Sequence, residues 1–297
     1  MPLPPHSRRR ATLIGMSAVL LWSGSIGLFR SISEIFGPTG GAALIFSASA
    51  LLATLASGCP RLSAIPRAYL LIGGGLFVAY EISLALALGL AHDRAQALEL
   101  GMLNYLWPSL TVLLAVLSRQ QRGSLLLLPG LGLCLAGIGR VMQGDGGGSL
   151  THSWQSVIDN PTAYLLALAA AFIWACYSLV TRLLGRGERV IPLFLAATAL
   201  VLWGKYLLGE EPPLPFHPGG LLQVLLLGVF TATAYSCWNH GVQGGNLTLL
   251  ASASYFTPIL SMVLASLWLG VTPGAGFFGG VAMVSLGSLL CWWGSRS

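Results

Sequence analysis

Uncharged apolar stretches of about 20 residues, the length that crosses a bilayer as an α-helix, recur along the whole chain. They cover residues 11–30, 39–57, 68–90, 95–117, 124–142, 162–184, 190–208, 219–241, 246–269 and 274–293. Charged residues make up only 8% of the chain and hydrophobic residues 55%, whereas soluble domains are about 25% charged. The pattern predicts an all-α integral membrane protein with ten transmembrane helices and excludes a soluble domain.

Basic residues are distributed unevenly between alternate loops. Eleven arginines fall on one side of the predicted membrane: Arg8, Arg9, Arg10, Arg61, Arg67, Arg119, Arg122, Arg182, Arg186, Arg189 and Arg296. The other side holds four basic residues: Arg30, Arg94, Arg140 and Lys205. Because basic loops are retained in the cytoplasm, we predict that both termini are cytoplasmic, which agrees with an even number of spans. The net charge of +6 then reflects topology and anionic lipid headgroups, and we predict no nucleic acid binding.

The two halves of the chain share residues at a nearly constant spacing. Trp22 and Trp174 are 152 residues apart, as are Arg30 and Arg182, and residues 105–108 match residues 255–258 at a spacing of 150. Each half crosses the membrane five times. Because five is an odd number, the second half must begin on the opposite side of the membrane. We therefore predict two inverted five-helix repeats around a central cavity, an arrangement typical of secondary transporters with a midplane site. The predicted boundaries are residues 1–145 for the first repeat, 146–161 for an extracytoplasmic linker and 162–297 for the second repeat.

Several motifs at these repeated positions are similar to a known group of transporters. They are a tryptophan in the first span of each repeat, Trp22 and Trp174, and a proline in the fourth span of each repeat, Pro108 and Pro258. With these features the whole chain resembles the EamA-type members of the drug/metabolite transporter superfamily. The sequences at residues 22–23, 104–108 and 238–239 most resemble those of the YddG-type aromatic amino-acid exporters within that group.

This resemblance implies a function and a helix arrangement. The function is export of aromatic and other hydrophobic amino acids across the bacterial inner membrane by alternating access. In the implied arrangement, spans one, three, four, six, eight and nine surround the cavity, while spans two and seven lie outside it. Spans five and ten pack as a support or as a dimer face, and the sequence makes no prediction of oligomeric state.

Two of the nine acidic residues, Glu81 and Glu99, fall inside predicted spans. A carboxylate near the bilayer centre costs about 2.5–3.5 kcal/mol on insertion scales, so such residues are expected to face a cavity or a partner. Glu99 lies only about one turn inside its helix, where an interfacial position is the alternative. Glu81 lies deeper, beside Tyr80, and is the preferred floor of a polar site. Its alternative is a structural hydrogen bond to a neighbouring helix.

Aromatic and amide side chains cluster with these acids near the middle of the spans. In the eighth span, Thr231, Tyr235, Trp238 and Asn239 follow i, i+4, i+7, i+8 spacing and form one helix face. An aromatic ring of a substrate can pack on such side chains, while Glu81 accepts from an ammonium group and amides donate to a carboxylate. The predicted substrate-binding residues are Trp22, Tyr80, Glu81, Asn104, Trp107, Trp174, Tyr177, Tyr235, Trp238 and Asn239.

Two prolines inside spans are predicted hinges. Pro108 has no amide hydrogen and frees the carbonyl of Asn104, and Pro258 does the same to the carbonyl of Ser254. Because freed backbone groups are tolerated in a membrane only where they face protein or water, we expect both kinks to line the pathway. A purely structural kink is the alternative.

Two other functions remain alternatives at this stage. One is a drug or other metabolite carrier on the same fold; phosphorylated substrates are disfavoured because few cations lie inside the spans. The other is a membrane-embedded enzyme. The chain has none of the common nucleotide-binding, zinc-protease or serine-hydrolase motifs, so we predict no catalytic residues, no metal and no cofactor. The predicted partners are a small-molecule substrate, namely amino acids, and the lipid bilayer.

Overall fold

The protein is built from helices, as the apolar stretches predict. The computed structural model describes residues 5–60, 62–119, 124–143, 150–185, 189–244 and 253–294, and every regular element in these ranges is helical. The α-helices are α1 (Pro5–Ser23), α2 (Ser25–Phe36), α3 (Pro38–Ser57), α4 (Gly74–Gly89), α5 (Arg94–Asn104), α6 (Trp107–Leu117), α7 (Leu127–Gln143), α8 (Leu150–Asp159), α9 (Pro161–Leu184), α10 (Ile191–Leu208), α11 (Pro218–Gly244), α12 (Thr257–Leu269) and α13 (Ala275–Gly294). A π-helical turn, Tyr69–Gly73, leads directly into α4.

Eight helical stretches within the described ranges are long and apolar enough to cross a bilayer. They are Arg9–Phe36, Pro38–Ser57, Tyr69–Gly89, Arg94–Leu117, Pro161–Thr181, Ile191–Leu208, Pro218–Trp238 and Ala275–Gly294. Two shorter apolar helices, α7 and α12, lie where the fifth and ninth spans are predicted. Large apolar side chains such as Leu55 and Leu208 are exposed on the outer surface, as expected where the surroundings are lipid rather than water. The chain is therefore an all-helical, multi-pass membrane protein.

The first span is longer than predicted. The apolar stretch ends at residue 30, but the helical run continues to Phe36, so the predicted end was wrong. Its last two turns carry Arg30 and Glu34, whose Nε and Oε1 atoms are 3.0 Å apart. Opposite charges paired in this way continue a helix that hydropathy alone would end.

The turn between α2 and α3 is held by an acid from a distant loop. Gly37 has φ +76°, a left-handed conformation that favours glycine. The Glu211 carboxylate accepts hydrogen bonds of 3.2 Å from the backbone N–H groups of Thr39 and Gly40 at the start of α3. A negative charge at a helix N-terminus is stabilising, so this contact fixes the α10–α11 loop to the α2–α3 turn.

The segment predicted as a linker, residues 146–161, contains the helix α8. Asn160 follows α8 and caps α9, since its Oδ1 accepts from the N–H of Ala163 at 3.4 Å. Pro161 then occupies the first position of α9, where its missing N–H is tolerated. Hydropathy does not detect α8, because the helix is amphipathic and short.

The helices pack in pairs drawn from the two halves of the chain. Helix α1 packs on α11, α4 on α9, α3 on α10 and α7 on α13. The α7–α13 pair is antiparallel, with Gly137 against Gly280 and Gly130 against Gly287. A Cβ added at Gly137 would lie 2.7 Å from the carbonyl oxygen of Gly280, and one added at Gly280 would lie 2.6 Å from that of Gly137. Glycine is therefore required here by direct backbone contact, as at other close helix crossings in membranes.

Candidate functional site

A central cavity lies between spans from both halves of the chain. Its empty space, including the open mouth, is about 900 Å³. Its lining residues are Trp22, Ser25, Ile26, Phe29, Tyr80, Glu81, Leu84, Leu88, Asn104, Tyr105, Trp107, Trp174, Ser178, Thr231, Tyr235, Trp238, Ser254 and Thr257. These residues belong to spans one, three, four, six, eight and nine, the six that the family resemblance implies.

Glu81 lies on the wall of this cavity, on α4. Its side chain is only 5% exposed, and its Oε1 accepts a short hydrogen bond from the hydroxyl of Tyr235 on α11. The bond joins the third and eighth spans across the cavity. A carboxyl group inside the membrane is thus supported by a donor and faces an open space, so it is available to a ligand.

Glu99, the second acid inside a predicted span, is not among the cavity-lining residues. It lies on α5, and its Oε2 accepts a hydrogen bond of 2.6 Å from the hydroxyl of Tyr164 on α9. The described part of the chain therefore contains two glutamate–tyrosine pairs between helices: Glu81–Tyr235, which borders the cavity, and Glu99–Tyr164, which does not.

Aromatic rings on the cavity wall form two groups, which meet where the rings of Trp174 and Tyr235 lie 6.1 Å apart. In one group, the Trp22 ring centroid is 5.4 Å from those of both Tyr235 and Trp238. In the other, the Trp174 ring is 4.5 Å from Tyr80 and 6.2 Å from Trp107. Such tilted and edge-to-face contacts hold the rings in place. They leave an apolar chamber with a single acidic group among the described lining residues.

Asn104 supplies a further polar group at the point where the fourth span breaks. It is the last residue of α5, is 4% exposed and lies on the cavity wall. Its Oδ1 is buried and has no hydrogen-bond partner. Because an unsatisfied buried acceptor costs about 1–3 kcal/mol, this oxygen is expected to gain a donor when the cavity is filled.

The two predicted hinge prolines lie just after two-residue turns, at residues 105–106 and 255–256, that interrupt the helices. Pro108 is the second residue of α6, and Pro258 is the second residue of α12. The turn before α6 is tightened by hydrogen bonds from Tyr105 N–H to Met102 O and from Leu106 N–H to Leu103 O. Proline is well suited to the first turn of a new helix, and its position here matches a restart of the helix.

Eight of the ten predicted binding residues line the cavity: Trp22, Tyr80, Glu81, Asn104, Trp107, Trp174, Tyr235 and Trp238. Tyr177 instead lies behind the wall, with its ring 5.1 Å from Trp174 and 5.6 Å from Phe77. The side chain of Asn239 lies outside the described residues.

Some lining residues were not predicted from the sequence. Ser25, Ile26 and Phe29 follow Trp22 at i+3, i+4 and i+7, and Ser178 follows Trp174 at i+4. Helical periodicity counted from each tryptophan would have identified them. The described residues contain no group of three or more His, Cys, Asp or Glu side chains placed to hold a metal ion.

Three charged residues near the ends of the first and fourth spans, Arg30, Glu34 and Arg94, form a cluster of ion pairs, which we call the Glu34 cluster. Glu34 pairs with Arg94, whose Nη2 lies 2.7 Å from Oε2, and with Arg30 at 3.0 Å. Arg30 lies next to the lining residue Phe29.

The Glu34 cluster also binds backbone carbonyls at the ends of other spans. Arg30 Nη1 donates to the carbonyl oxygen of Ala91 at 2.6 Å, just after α4, and Arg94 Nη1 donates to that of Leu269 at 2.8 Å, at the end of α12. The cluster thus connects the ends of the first, third, fourth and ninth spans, all of which line the cavity.

Comparisons with known proteins place this fold and cavity in a class. Residues 161–293 match the EamA-like transporter family. A protein of known crystal structure superposes with a TM-score of 0.70 at 28% identity, over 98% of this chain and 100% of that one. The class is therefore that of helical membrane transporters.

Curated relatives identify the family more closely. The aromatic amino acid exporter YddG of Escherichia coli (strain K12) is 44% identical over 98% of this chain and 99% of its own. The exporter of the same name from Salmonella typhimurium is also 44% identical, over 97% and 98%. That from Ancylobacter novellus is 33% identical over 87% and 88%. The chain belongs to the EamA-like transporters, in the family of these YddG proteins.

Proposed function

We propose that the protein is a secondary transporter that exports aromatic and other hydrophobic amino acids across the bacterial inner membrane by alternating access. The observation that carries this proposal is the central cavity, whose wall combines aromatic side chains with one buried carboxyl group among the described lining residues. The names of the curated relatives, all aromatic amino acid exporters, agree with it. We propose no chemical reaction of the substrate, because the protein only moves it across the membrane.

In the proposed complex the substrate ring packs between Trp22 and Trp174, and its ammonium group is held by Glu81 and by Asn104 Oδ1. Ring contacts contribute about 0.5–1.5 kcal/mol per well-placed pair beyond area burial. Apolar contact discriminates between sizes by only about 1–3 kcal/mol. Phenylalanine, tyrosine, tryptophan and branched aliphatic amino acids should therefore all be accepted. Asn239 remains a proposed donor to the substrate carboxylate.

The proposed architecture is ten spans in two inverted repeats, residues 1–145 and 162–297, joined by the linker 146–161. The contacts between α7 and α13 support it, because a shift of 150 residues carries Gly130 onto Gly280 and Gly137 onto Gly287, which exchanges the two glycine contacts. The helix pairs have the same symmetry, because exchanging the two halves of the chain converts the α1–α11 pair into the α4–α9 pair. The breaks before Trp107 and Thr257 also differ by 150.

The proposed orientation places both termini in the cytoplasm and the Glu34 cluster at the extracytoplasmic end of the cavity. Arg30 and Arg94 are two of the four basic residues predicted on that side, and both are engaged by Glu34. We propose that the cluster is the closed extracytoplasmic gate. Opening would break its contacts while Pro108 and Pro258, at the helix restarts, act as hinges.

The test is counterflow of labelled phenylalanine by the purified protein in sealed liposomes preloaded with unlabelled amino acids. Preloading with phenylalanine, tyrosine, tryptophan or leucine should each drive uptake, while preloading with glutamate or lysine should not. Uptake no faster than in protein-free liposomes would refute amino-acid transport. Liposomes preloaded with drugs would then test the carrier alternative.

A further inference from the structure

The polar groups around the cavity are unequally matched to the two ends of an amino acid. The ammonium end meets two acceptors, the Glu81 carboxyl group and the unpartnered Asn104 Oδ1. The carboxylate end meets no matching charge, because the described lining residues include no lysine, arginine or histidine. A carboxylate moved from water to such a place loses hydration without gaining a counter-charge.

Three hydroxyl groups on the wall are already committed as donors. Tyr235 donates to Glu81, Ser25 to the carbonyl oxygen of Trp22, and Ser178 to that of Trp174 at 2.8 Å. Each hydroxyl has a single proton, so none of the three can donate to a substrate carboxylate without breaking its present bond. What these hydroxyls still offer is acceptor capacity, which again suits a cation.

The rings of the cavity add to this preference. A cation over the face of tryptophan or tyrosine, within about 6 Å of the ring centre, is attracted by the ring quadrupole, and more strongly when it is desolvated. The cavity lining includes Tyr80 and the tryptophans Trp22, Trp174 and Trp238. An ammonium group bound at Glu81 lies among rings whose faces attract it.

We propose that the cavity selects its ligands by an aromatic ring and an ammonium group and does not require the carboxylate, so that aromatic monoamines form a second class of ligand and transported substrate. The claim that monoamines are transported rests on the proposed transport function. The inference itself is a rule of specificity: a ligand needs the ammonium group and does not need the carboxylate.

Four small molecules with the same phenyl ring separate the contribution of the ammonium group from that of the carboxylate. Phenylalanine has both charged groups, 2-phenylethylamine only the ammonium, phenylacetate only the carboxylate, and 2-phenylethanol neither. Each is titrated against labelled phenylalanine counterflow in liposomes and, in parallel, against the purified protein by calorimetry. The binding measurement does not depend on transport and avoids leakage of uncharged amine through lipid.

We expect 2-phenylethylamine to bind within about tenfold of phenylalanine, and phenylacetate and 2-phenylethanol to bind at least about tenfold more weakly than the amine, a difference of about 1.4 kcal/mol. Glu81→Gln should weaken amine binding by at least about tenfold, whereas Glu99→Gln, the matched change in the glutamate–tyrosine pair away from the cavity, should leave it unchanged. For transport itself, the labelled trimethylated form of 2-phenylethylamine, a permanent cation that does not cross lipid unaided, should be taken up.

Phenylacetate binding as tightly as 2-phenylethylamine to the unmodified protein would overturn the specificity rule, and this comparison needs no variant to fold. Phenylalanine counterflow without amine binding would also overturn it while leaving the proposed function intact. Amine binding without any amino-acid flux would retain the rule and refute the proposed function instead.

Discussion

Glu81 and Glu99 show how similar residues in similar pairs differ through their surroundings. Both are carboxyl groups on transmembrane helices, and each accepts a tyrosine hydroxyl from another helix. Only Glu81 faces the cavity. The sequence indicates the depth of each acid in its span but not which way the acid faces. The prediction favoured Glu81 because it lies deeper in its span and beside Tyr80.

Glu81→Gln is expected to reduce phenylalanine counterflow by at least about tenfold, because a neutral amide replaces the acceptor proposed for the ammonium group, and hydrogen bonds to charged groups contribute about 1.5–3 kcal/mol. Glu99→Gln is the control and should keep nearly full flux. Equal loss in both variants, with normal insertion, would indicate a general effect of removing intramembrane acids and remove Glu81 from the site.

The sequence predicted Asn104 as a binding residue, but it did not predict that the side-chain oxygen of Asn104 lacks a hydrogen-bond partner. Its position four residues before Pro108 drew attention to its backbone carbonyl, yet the buried group without a partner is its side-chain Oδ1. That state depends on the helix break, which places the side chain on the cavity wall. Periodicity cannot predict it, because the break interrupts the period.

Among the helices, hydropathy predicted most span boundaries to within a few residues and failed where helices are not apolar. It ended the first span at residue 30, because charged residues such as Arg30 and Glu34 are typical of the end of a span. In the structure the two form an ion pair within the helix. It also missed α8, whose ten residues are amphipathic. Both failures have one cause, namely that tertiary or interfacial contacts stabilise helices that a membrane-transfer scale does not recognise.

The α7–α13 contact predicts opposite effects for two glycines two positions apart. A Cβ at Gly137 would lie 2.7 Å from a backbone oxygen, whereas one at Gly139 meets nothing within 4 Å. Gly137→Ala should lower the free energy of unfolding by about 1–3 kcal/mol through overpacking. Gly139→Ala should raise it by up to about 1 kcal/mol, because alanine favours the helix. Thermal unfolding in detergent measures both, and equal midpoints would contradict the close crossing.

The Glu34 cluster predicts how access to the cavity is controlled. In a background without native cysteines, Ser25→Cys places a thiol on the cavity wall. Adding Glu34→Gln should increase its labelling by an impermeant maleimide outside intact cells by about threefold, because partly exposed ion pairs contribute about 0.2–1 kcal/mol. Glu210→Gln, an acid in the exposed α10–α11 loop, is the matched control. An unchanged or lower labelling rate with Glu34→Gln would show that the cluster is not a gate.

For the protein as a whole, charge counting predicts a topology that one native thiol can test. Cys59 is exposed, next to Gly58 at the end of α3, on the side predicted to be cytoplasmic. Impermeant maleimide should leave Cys59 unlabelled in intact cells and label it in inverted membrane vesicles. Cysteine placed at position 210 should show the reverse pattern. Labelling of Cys59 in intact cells would invert the orientation and place the Glu34 cluster on the cytoplasmic side.

The spacing of about 150 residues between the halves predicted more of the molecule than any single motif. It identified Trp22, Trp174, Pro108 and Pro258 before their places were known. Both tryptophans line the cavity, and each proline directly follows a lining residue at the start of a helix. It could not predict that Tyr177 packs behind Trp174. That depends on the rotation of α9 against α4, which many side chains set together.

The central claim is that the aromatic cavity is the site of amino-acid transport, and phenylalanine counterflow in variants tests it most directly. Tyr80→Ala and Trp107→Ala each remove a ring from the cavity, while Trp293→Ala removes a ring that is 65% exposed near the end of α13. The expected result is a loss of about tenfold in the two cavity variants, since a well-placed ring contact contributes about 0.5–1.5 kcal/mol beyond area burial. Flux should be retained in Trp293→Ala. Full phenylalanine flux in both cavity variants would contradict the account.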